Sequence, residues 1–181
     1  IWITEWNLQM SKITGNTLFQ AIYVANYLLE ISVSKNFSNI ELATYHNLAG
    51  RDVSGSVLMN RSGLTETHTT FHPFQMLSEM FNQKNLTIDK TRVTNFCYLY
   101  SCEENNNEKY RYIINWSSEF HKISFKQVLS QITLKEYFGK ELYCNNKKKG
   151  DINYTISDLE NISELTIKPY SITLVTINNE R

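Results

Sequence analysis

The first seven residues of the chain alternate between two faces, as the residues of a β-strand do. The odd positions from Ile1 to Glu5 share one face, and the even positions from Trp2 to Trp6 share the other. Acids seldom follow so apolar a run, so Glu5 is a candidate catalytic group of the kind that α/β barrels present at the C-terminal rim of their strands. The alternative is a glutamate that only ends a strand.

Hydrophobic periodicity predicts one helix after this strand and a second strand after the helix. From Leu18 an apolar stripe recurs at i+4, i+7 and i+11, which predicts a helix over residues 16–30 with Asn16 or Thr14 as its N-cap. Residues 39–45 form the predicted second strand, and polar residues follow it at His46 and Asn47.

A long glycine-containing loop and a second predicted helix complete the first part of the chain. The helix spans residues 73–81, and Pro73 suits its first turn. Residues 1–83 therefore form two β/α units, whose strand ends would gather at one rim. Two units cannot close a barrel, so we expect this part to be the C-terminal portion of a (β/α)8 barrel with six further units upstream in a longer parent protein.

From residue 84 onward the pattern changes to short runs rich in β-branched and aromatic residues. No helical periodicity interrupts them, so they predict an antiparallel β-sandwich domain over residues 84–181 that packs directly on the first part. The predicted turns lie at 103–107 and 145–150. The predicted strands are 92–100, 109–116, 120–128, 134–143, 152–157, 164–167 and 171–177.

Composition excludes several classes of function. Lysine plus arginine balance aspartate plus glutamate at 18 each, which argues against a nucleic-acid partner, and no apolar run is long enough to span a membrane. The 3 cysteines allow one disulfide at most and require none, and the 4 histidines lack metal-site spacing, so we expect no metal. Six Asn-x-Ser/Thr acceptor sequences, a mild excess over chance, favour a secreted or extracytoplasmic protein.

The order of these elements resembles a group of carbohydrate-active enzymes. The sequence IWITEWN at residues 1–7 is similar to the seventh-strand motif of retaining clan A glycoside hydrolases, in particular α-L-arabinofuranosidases of family 51 and β-xylosidases of family 39. The sequences FHPFQM at 71–76 and PYSITLV at 169–175 also resemble the helix after the eighth strand and the last sandwich strand of those enzymes. The resemblance covers nearly the whole chain in architecture, but its specific motif is about seven residues long.

The resemblance implies hydrolysis of an O-glycosidic bond with retention, through a covalent glycosyl-enzyme on Glu5 as nucleophile. The acid/base glutamate of such enzymes follows strand four, which would lie upstream, so we expect this segment alone to be inactive. Strand eight often contributes a tryptophan in clan A, whereas this chain offers Tyr45, His46 and Asn47. The chemistry needs no cofactor.

Each substrate-binding candidate has an alternative explanation. Tyr45 or His46 can donate a hydrogen bond to Glu5, or Tyr45 can pack at the barrel mouth. Trp6 can stack on a sugar ring, although the alternation favours packing against the helix. Asn7, His46 and Asn47 can bind sugar hydroxyls or cap loops.

Two alternatives to the glycosidase interpretation stay open at this point. One is a non-catalytic carbohydrate-binding module with an aromatic platform such as Tyr110, Tyr112 and Trp116. The other is an inactive relative of the barrel. The sequence leaves the sugar, the linkage and the oligomeric state undetermined.

Overall fold

The computed structural model describes residues 1–8, 11–33, 40–50, 54–61, 63–81, 83, 86–105, 107–147 and 150–178. Within them the chain forms two helices and eleven strands. The helices are α1 (Leu18–Ser32) and α2 (Phe71–Phe81). The strands are β1 (Trp2–Trp6), β2 (Leu42–Tyr45), β3 (Ala49–Gly50), β4 (Leu58–Arg61), β5 (Leu64–Thr67), β6 (Leu86–Thr94), β7 (Cys97–Glu104), β8 (Asn107–Asn115), β9 (His121–Gly139), β10 (Ile152–Ile167) and β11 (Ser171–Ile177).

Strands β1 and β2 pair in parallel, as two consecutive β/α units require. Helix α1 connects them, and its N-cap is Thr17, whose hydroxyl accepts a hydrogen bond from the backbone N–H of Gln20 at 3.4 Å. The predicted caps, Asn16 and Thr14, were therefore wrong. Asn16 has a positive φ of 55° and accepts instead from the backbone N–H of Thr69 at 3.0 Å, which ties the start of α1 to the segment before α2.

A small three-stranded sheet lies where the sequence predicted only a loop. Strand β3 pairs in parallel with β4, and β4 pairs antiparallel with β5. Its strands are four residues long or shorter and carry little hydrophobic alternation, so periodicity could not detect them. The sheet leads the chain from the end of β2 to the start of α2.

Strands β6 to β11 form one six-stranded antiparallel sheet in the order β10-β9-β11-β8-β7-β6. The predicted strand over 171–177 coincides with β11 and is confirmed. The predicted strand over 92–100 was wrong, because the turn at Asn95 and Phe96 divides it between β6 and β7. The four strands predicted between residues 120 and 167 are two long ones, β9 and β10, and β9 ends at Gly139 instead of continuing to 143.

The long β9–β10 hairpin gives the sheet a sandwich-like form. It pairs with β11 only through the second half of β9, residues 132–138. The remainder covers one face of the sheet, where Ile123 and Leu165 share a buried cluster with Ile113 and Val175. The predicted sandwich is thus confirmed in part: the structure has one six-stranded sheet of sandwich-like form instead of two separate sheets.

The opposite face of this sheet packs against both helices. Fully buried side chains of α1 and α2, such as Ile22 and Leu77, share one core with Tyr112 and Leu174 of the sheet. The hydroxyl of Tyr112 donates to the backbone carbonyl of Met76 in α2 at 3.1 Å. The direct packing that we predicted is therefore present, whereas the domain boundary at residue 84 stays a prediction. Neither described helix is long and apolar enough to cross a membrane.

Candidate active site

The ends of β1 and β2 bring the predicted site residues together. Parallel strands place their carboxyl ends at the same edge, so the residues that end β1 lie beside those that follow β2. They line an open cleft of about 390 Å³, which we call the rim cleft. Its described lining consists of Glu5, Trp6, Asn7, Leu8, His46, Asn47 and Ser54. Glu5 is the one carboxylate among these residues.

Glu5 is held by a direct contact with His46. The Nδ1 atom of His46 lies 2.8 Å from Oε1 of Glu5, and the two side chains are 54% and 65% exposed. An exposed pair of this kind adds little to stability, so its consequence is positional: the carboxylate is oriented while most of it faces solvent. Either His46 or Tyr45 was the predicted donor to Glu5, and His46 is the one in contact with it. Tyr45 instead bonds elsewhere.

Asn7 is the centre of a hydrogen-bond network that joins the two strand ends. Its Nδ2 group donates to the carbonyl oxygen of His46 and, at 3.4 Å, to that of Ser54. Its Oδ1 atom accepts from the hydroxyl of Tyr45 at 3.1 Å and from Nε2 of Gln20 at 3.4 Å. These contacts use both ends of the amide, so Asn7 fixes the loop after β2, and through it the backbone that carries His46.

Tyr45 and Trp6 pack under the rim cleft. Burial raises the pKa of the Tyr45 phenol, so the hydroxyl is a neutral donor, shared between Asn7 and the carbonyl oxygen of Gly55. Trp6 is 8% exposed, and its ring centroid lies 4.5 Å from that of Tyr27 in α1 and 4.9 Å from that of Tyr45. This is the packing against the helix that the strand alternation favours, and it leaves little of the Trp6 ring exposed to a sugar.

Asn47 lines the rim cleft, and its backbone carbonyl accepts from the N–H of Val57 at 3.2 Å. The sequence did not reveal Ser54, which lines the cleft, nor Gln20 and Gly55, which lie beneath it and bond to Asn7 and Tyr45. Gln20 is 1% exposed and also accepts from the backbone N–H of Asn16 at 2.7 Å. The sequence signal for Gln20 was only that it is a polar residue near the start of a largely apolar helix.

Two further carboxylates in this part of the chain, those of Glu41 and Glu79, are engaged outside the rim cleft. Glu41 accepts a hydrogen bond from the indole N–H of Trp2 at 2.9 Å, near the start of β2. Glu79 in α2 forms an ion pair with Lys135. Among the described residues, no group of three or more His, Cys, Asp or Glu side chains is arranged to hold a metal ion.

Comparison with known proteins shows which fold this chain shares. No family model matches the sequence, and no curated protein matches it. Solved structures do match. An α-L-arabinofuranosidase of family GH51 from Thermotoga petrophila superposes with a TM-score of 0.72 at 13% identity, over 98% of this chain and 43% of its own. The chain has a glycoside hydrolase-like fold over part of the length of these enzymes.

Other solved glycoside hydrolases agree. An arabinose-bound GH51 α-L-arabinofuranosidase matches with a TM-score of 0.69 and 17% identity, over 92% of this chain and 28% of its own. The catalytic domain of the GH30 xylanase C from Talaromyces cellulolyticus matches with a TM-score of 0.67 and 12% identity, over 98% of this chain and 40% of its own. The predicted resemblance is thus confirmed for the fold, and this chain spans less than half the length of each of these enzymes.

Proposed function

We propose that this chain is part of a retaining glycoside hydrolase whose nucleophile is Glu5. One observation supports the proposal most directly. Glu5 lies near the end of β1 in an open cleft, and its Oε1 atom is 2.8 Å from Nδ1 of His46, which follows β2. The glycosidase-like fold supports it, because a barrel of this type holds its reacting groups at the C-terminal ends of its strands. We propose that β1 and β2 are the last two strands of such a (β/α)8 barrel.

The proposed chemistry has two steps. The Glu5 carboxylate attacks the anomeric carbon and forms an ester with the sugar, while a protonated second carboxyl group gives its proton to the departing glycosidic oxygen. The second group then takes a proton from water, which attacks the same carbon and releases the sugar with Glu5 as a carboxylate again. No cofactor takes part in either step.

The second carboxyl group must come from outside the described part of the rim cleft. A retaining mechanism needs the two carboxyl groups about 5–5.5 Å apart. Glu5 is the one carboxylate among the described lining residues, and one carboxylate cannot act as nucleophile and acid in the same step. We therefore propose that residues upstream in the parent protein supply the acid/base, and that this chain alone does not turn over substrate.

We propose an oligosaccharide or polysaccharide as the substrate, with an α-L-arabinofuranoside as the first candidate. The support is that several solved structures with this fold are named as arabinofuranosidases, among them one bound to arabinose. Others are named as a xylanase and as a rhamnosyl-glucuronidase. The same fold therefore accepts different sugars, and the test must use more than one.

A binding-only function has less support. Two residues of the aromatic platform that we predicted from the sequence, Tyr110 and Tyr112, are 5% and 0% exposed and belong to the core. Trp116 is partly buried and packs on the same core. An inactive relative of the barrel stays a possible alternative, and activity measurements on the complete protein separate it from an enzyme.

A secreted location stays a proposal supported by the acceptor sequences. Asn161 is exposed, as a glycan acceptor in a folded protein must be. Asn115 is 0% exposed and donates to two backbone carbonyl oxygens, so its acceptor sequence reflects a structural asparagine.

The test compares two glutamate variants of the complete protein. Glu5→Gln removes the nucleophile and should lower the rate of aryl glycoside hydrolysis by about 10³-fold or more. Glu41→Gln is the matched control, because Glu41 belongs to the same two-stranded region but bonds to Trp2, and its rate should change by less than about threefold. The assay uses aryl α-L-arabinofuranosides and β-xylosides.

A second readout identifies the nucleophile directly. Mechanism-based inactivators trap the sugar ester, and peptide mass spectrometry locates it. We expect the adduct on Glu5, with a mass that identifies the sugar. Turnover by Glu5→Gln at the wild-type rate, or an adduct on another residue, would show that the assignment is wrong.

A further inference from the structure

A second cleft lies between α1 and the edge of the large sheet. Its volume is about 470 Å³, and it shares no lining residue with the rim cleft. Three aromatic side chains line it, Phe96, Tyr98 and Trp116, together with three polar ones, Asn26, Glu30 and Lys90. We call it the aromatic cleft.

The aromatic side chains are held in place by the backbone around them. Phe96 lies in the turn between β6 and β7 and is 61% exposed, so its ring is available to a ligand. The backbone N–H of Trp116 donates to the carbonyl oxygen of Phe96 at 2.8 Å, which fixes the two residues relative to each other. The Trp116 ring also packs edge-on against Phe19 of α1, with centroids 5.6 Å apart. A large exposed phenyl ring at a fixed turn has no role in the core.

The polar side chains offer both donors and acceptors. The hydroxyl of Tyr100 lies within hydrogen-bond distance of Oδ1 of Asn26, at 3.1 Å, and of Oε1 of Glu30, at 2.8 Å. The Nζ atom of Lys90 forms its ion pair with the same oxygen, Oε1 of Glu30. Among the described hydrogen bonds, Nδ2 of Asn26 and Oε2 of Glu30 are not used, so an N–H donor and a carboxylate acceptor are available close together.

This combination identifies the chemical class of the ligand. Sugar hydroxyls both donate and accept, so they match an amide N–H beside a carboxylate oxygen, and the apolar C–H face of a sugar ring suits an aromatic face. The charges of Glu30 and Lys90 balance within the cleft, which favours a neutral ligand over an ionic one. We propose that the aromatic cleft binds a neutral sugar residue of a polysaccharide, as a binding site separate from the rim cleft.

Helix α1 separates the two sites. Gln20 contacts Asn7 below the rim cleft, whereas Glu30 lines the aromatic cleft ten residues later. At 1.5 Å per residue, this is about 15 Å along the helix axis, the length of about three sugar units. One long polysaccharide chain or two separate chains can therefore occupy the two sites, while a small aryl glycoside occupies only the rim cleft. The choice of a polysaccharide rests on the proposed function.

The test measures binding by the complete protein carrying Glu5→Gln, which prevents turnover of the ligand. The ligands are soluble arabinoxylan, arabinan and mixed-linkage β-glucan, followed by calorimetric titration. Phe96→Ala should weaken binding of the bound polysaccharide by about fivefold or more, the effect of losing one ring contact. Phe120→Ala is the matched control, because Phe120 is 66% exposed and lines a different cleft. The affinity of this variant for the polysaccharide should equal that of the protein carrying Glu5→Gln alone.

A second variant tests the polar half of the site. Asn26→Ala removes the amide donor but leaves Tyr100 bonded to Glu30, so the fold should be retained and binding should weaken as it does in Phe96→Ala. In protein with Glu5 intact, Phe96→Ala should slow hydrolysis of the polysaccharide and leave hydrolysis of an aryl glycoside unchanged.

Three results would overturn the proposal: no polysaccharide bound by the parent variant, equal affinity for Phe96→Ala and Phe120→Ala, or unchanged affinity for Asn26→Ala. Each leaves the hydrolysis of aryl glycosides by Glu5 unaffected. Failure of this second site is therefore distinguishable from failure of the proposed catalytic function.

Discussion

Replacing Asn115 with alanine should destabilise the protein by an amount that its contacts define. Asn115 is 0% exposed at the end of β8. Its Nδ2 group donates to the carbonyl oxygens of Glu119 at 2.9 Å and Lys168 at 2.8 Å. Its Oδ1 atom accepts from the backbone N–H of Ser117 at 3.0 Å and from the Ser117 hydroxyl at 2.8 Å. One side chain thus closes the loop between β8 and β9 and joins it to the segment before β11.

Asn115→Ala leaves three backbone groups without this partner. Each unpaired buried group costs about 1–3 kcal/mol, and water can reach the exposed Glu119 and the partly buried Ser117 and so recover part of the loss. We therefore expect a loss of about 3 kcal/mol in the free energy of unfolding. With a urea slope of about 2 kcal/mol per molar, the midpoint should fall by about 1.5 M.

The measurement is equilibrium unfolding in urea, followed by circular dichroism. Asn153→Ala is the control, because Asn153 makes one long side-chain hydrogen bond, 3.4 Å to the carbonyl oxygen of Gly150, and should cost less than about 0.5 kcal/mol. Asn115→Asp gives an independent check. Its carboxylate faces carbonyl oxygens, so the aspartate pKa should rise on folding, and the variant should gain stability as the pH falls. Equal midpoints for the two alanine variants would refute the reasoning.

Two further predictions concern a glycine and a histidine. Both glycines, Gly55 and Gly63, have a positive φ, but a Cβ at Gly55 would lie 1.7 Å from Nε2 of buried Gln20, whereas a Cβ at Gly63 has nothing within 4 Å. Gly55→Ala should therefore lower the free energy of unfolding by about 1–3 kcal/mol more than Gly63→Ala. Equal melting temperatures of the two variants would contradict this. Burial lowers the pKa of His72, so below about pH 6.5 the unfolded chain binds more protons than the folded protein and the free energy of unfolding falls. His72→Phe should weaken this pH dependence in urea titrations. An unchanged pH profile would show that His72 does not cause it.

Hydrophobic patterning predicted the elements whose residues alternate or repeat over a long enough stretch. Strand β11 and helix α1 belong to this class. The alternation located β11 but did not predict its burial on both faces, where five consecutive residues from Ser171 are buried. The turn between β6 and β7 escaped prediction since Asn95 is its only turn residue and apolar residues flank it. Strands β9 and β10 were divided for the opposite reason: polar residues inside them, such as Ser130 and Gln131, resemble a turn although both belong to the continuous strand β9.

The same distinction applies to the candidate site: positions set by neighbouring strands could be predicted, and those set by distant contacts could not. Glu5, His46 and Asn47 could be brought together from sequence because two parallel strands must end at one edge. The alternation also indicated that Trp6 packs against the helix. The bonding partner of Tyr45 could not be predicted, since it depends on Gly55, which reaches the site only through the small sheet that the sequence did not reveal.

Helix α1 contributes residues to both proposed sites, so the position of both depends on the core in which the helix is packed. Its buried stripe packs on the large sheet, so the helix cannot shift without disturbing residues such as Ile22 and Leu29, which are fully buried. Near its N-terminus Gln20 holds Asn7 and thereby the strand ends around Glu5. Near its C-terminus Glu30 lines the aromatic cleft. The large sheet thus fixes the distance between Glu5, the proposed nucleophile, and the proposed sugar site in the aromatic cleft. Through this distance the sheet would determine how a long substrate lies across the protein, although the sheet contributes none of the described lining residues of the rim cleft.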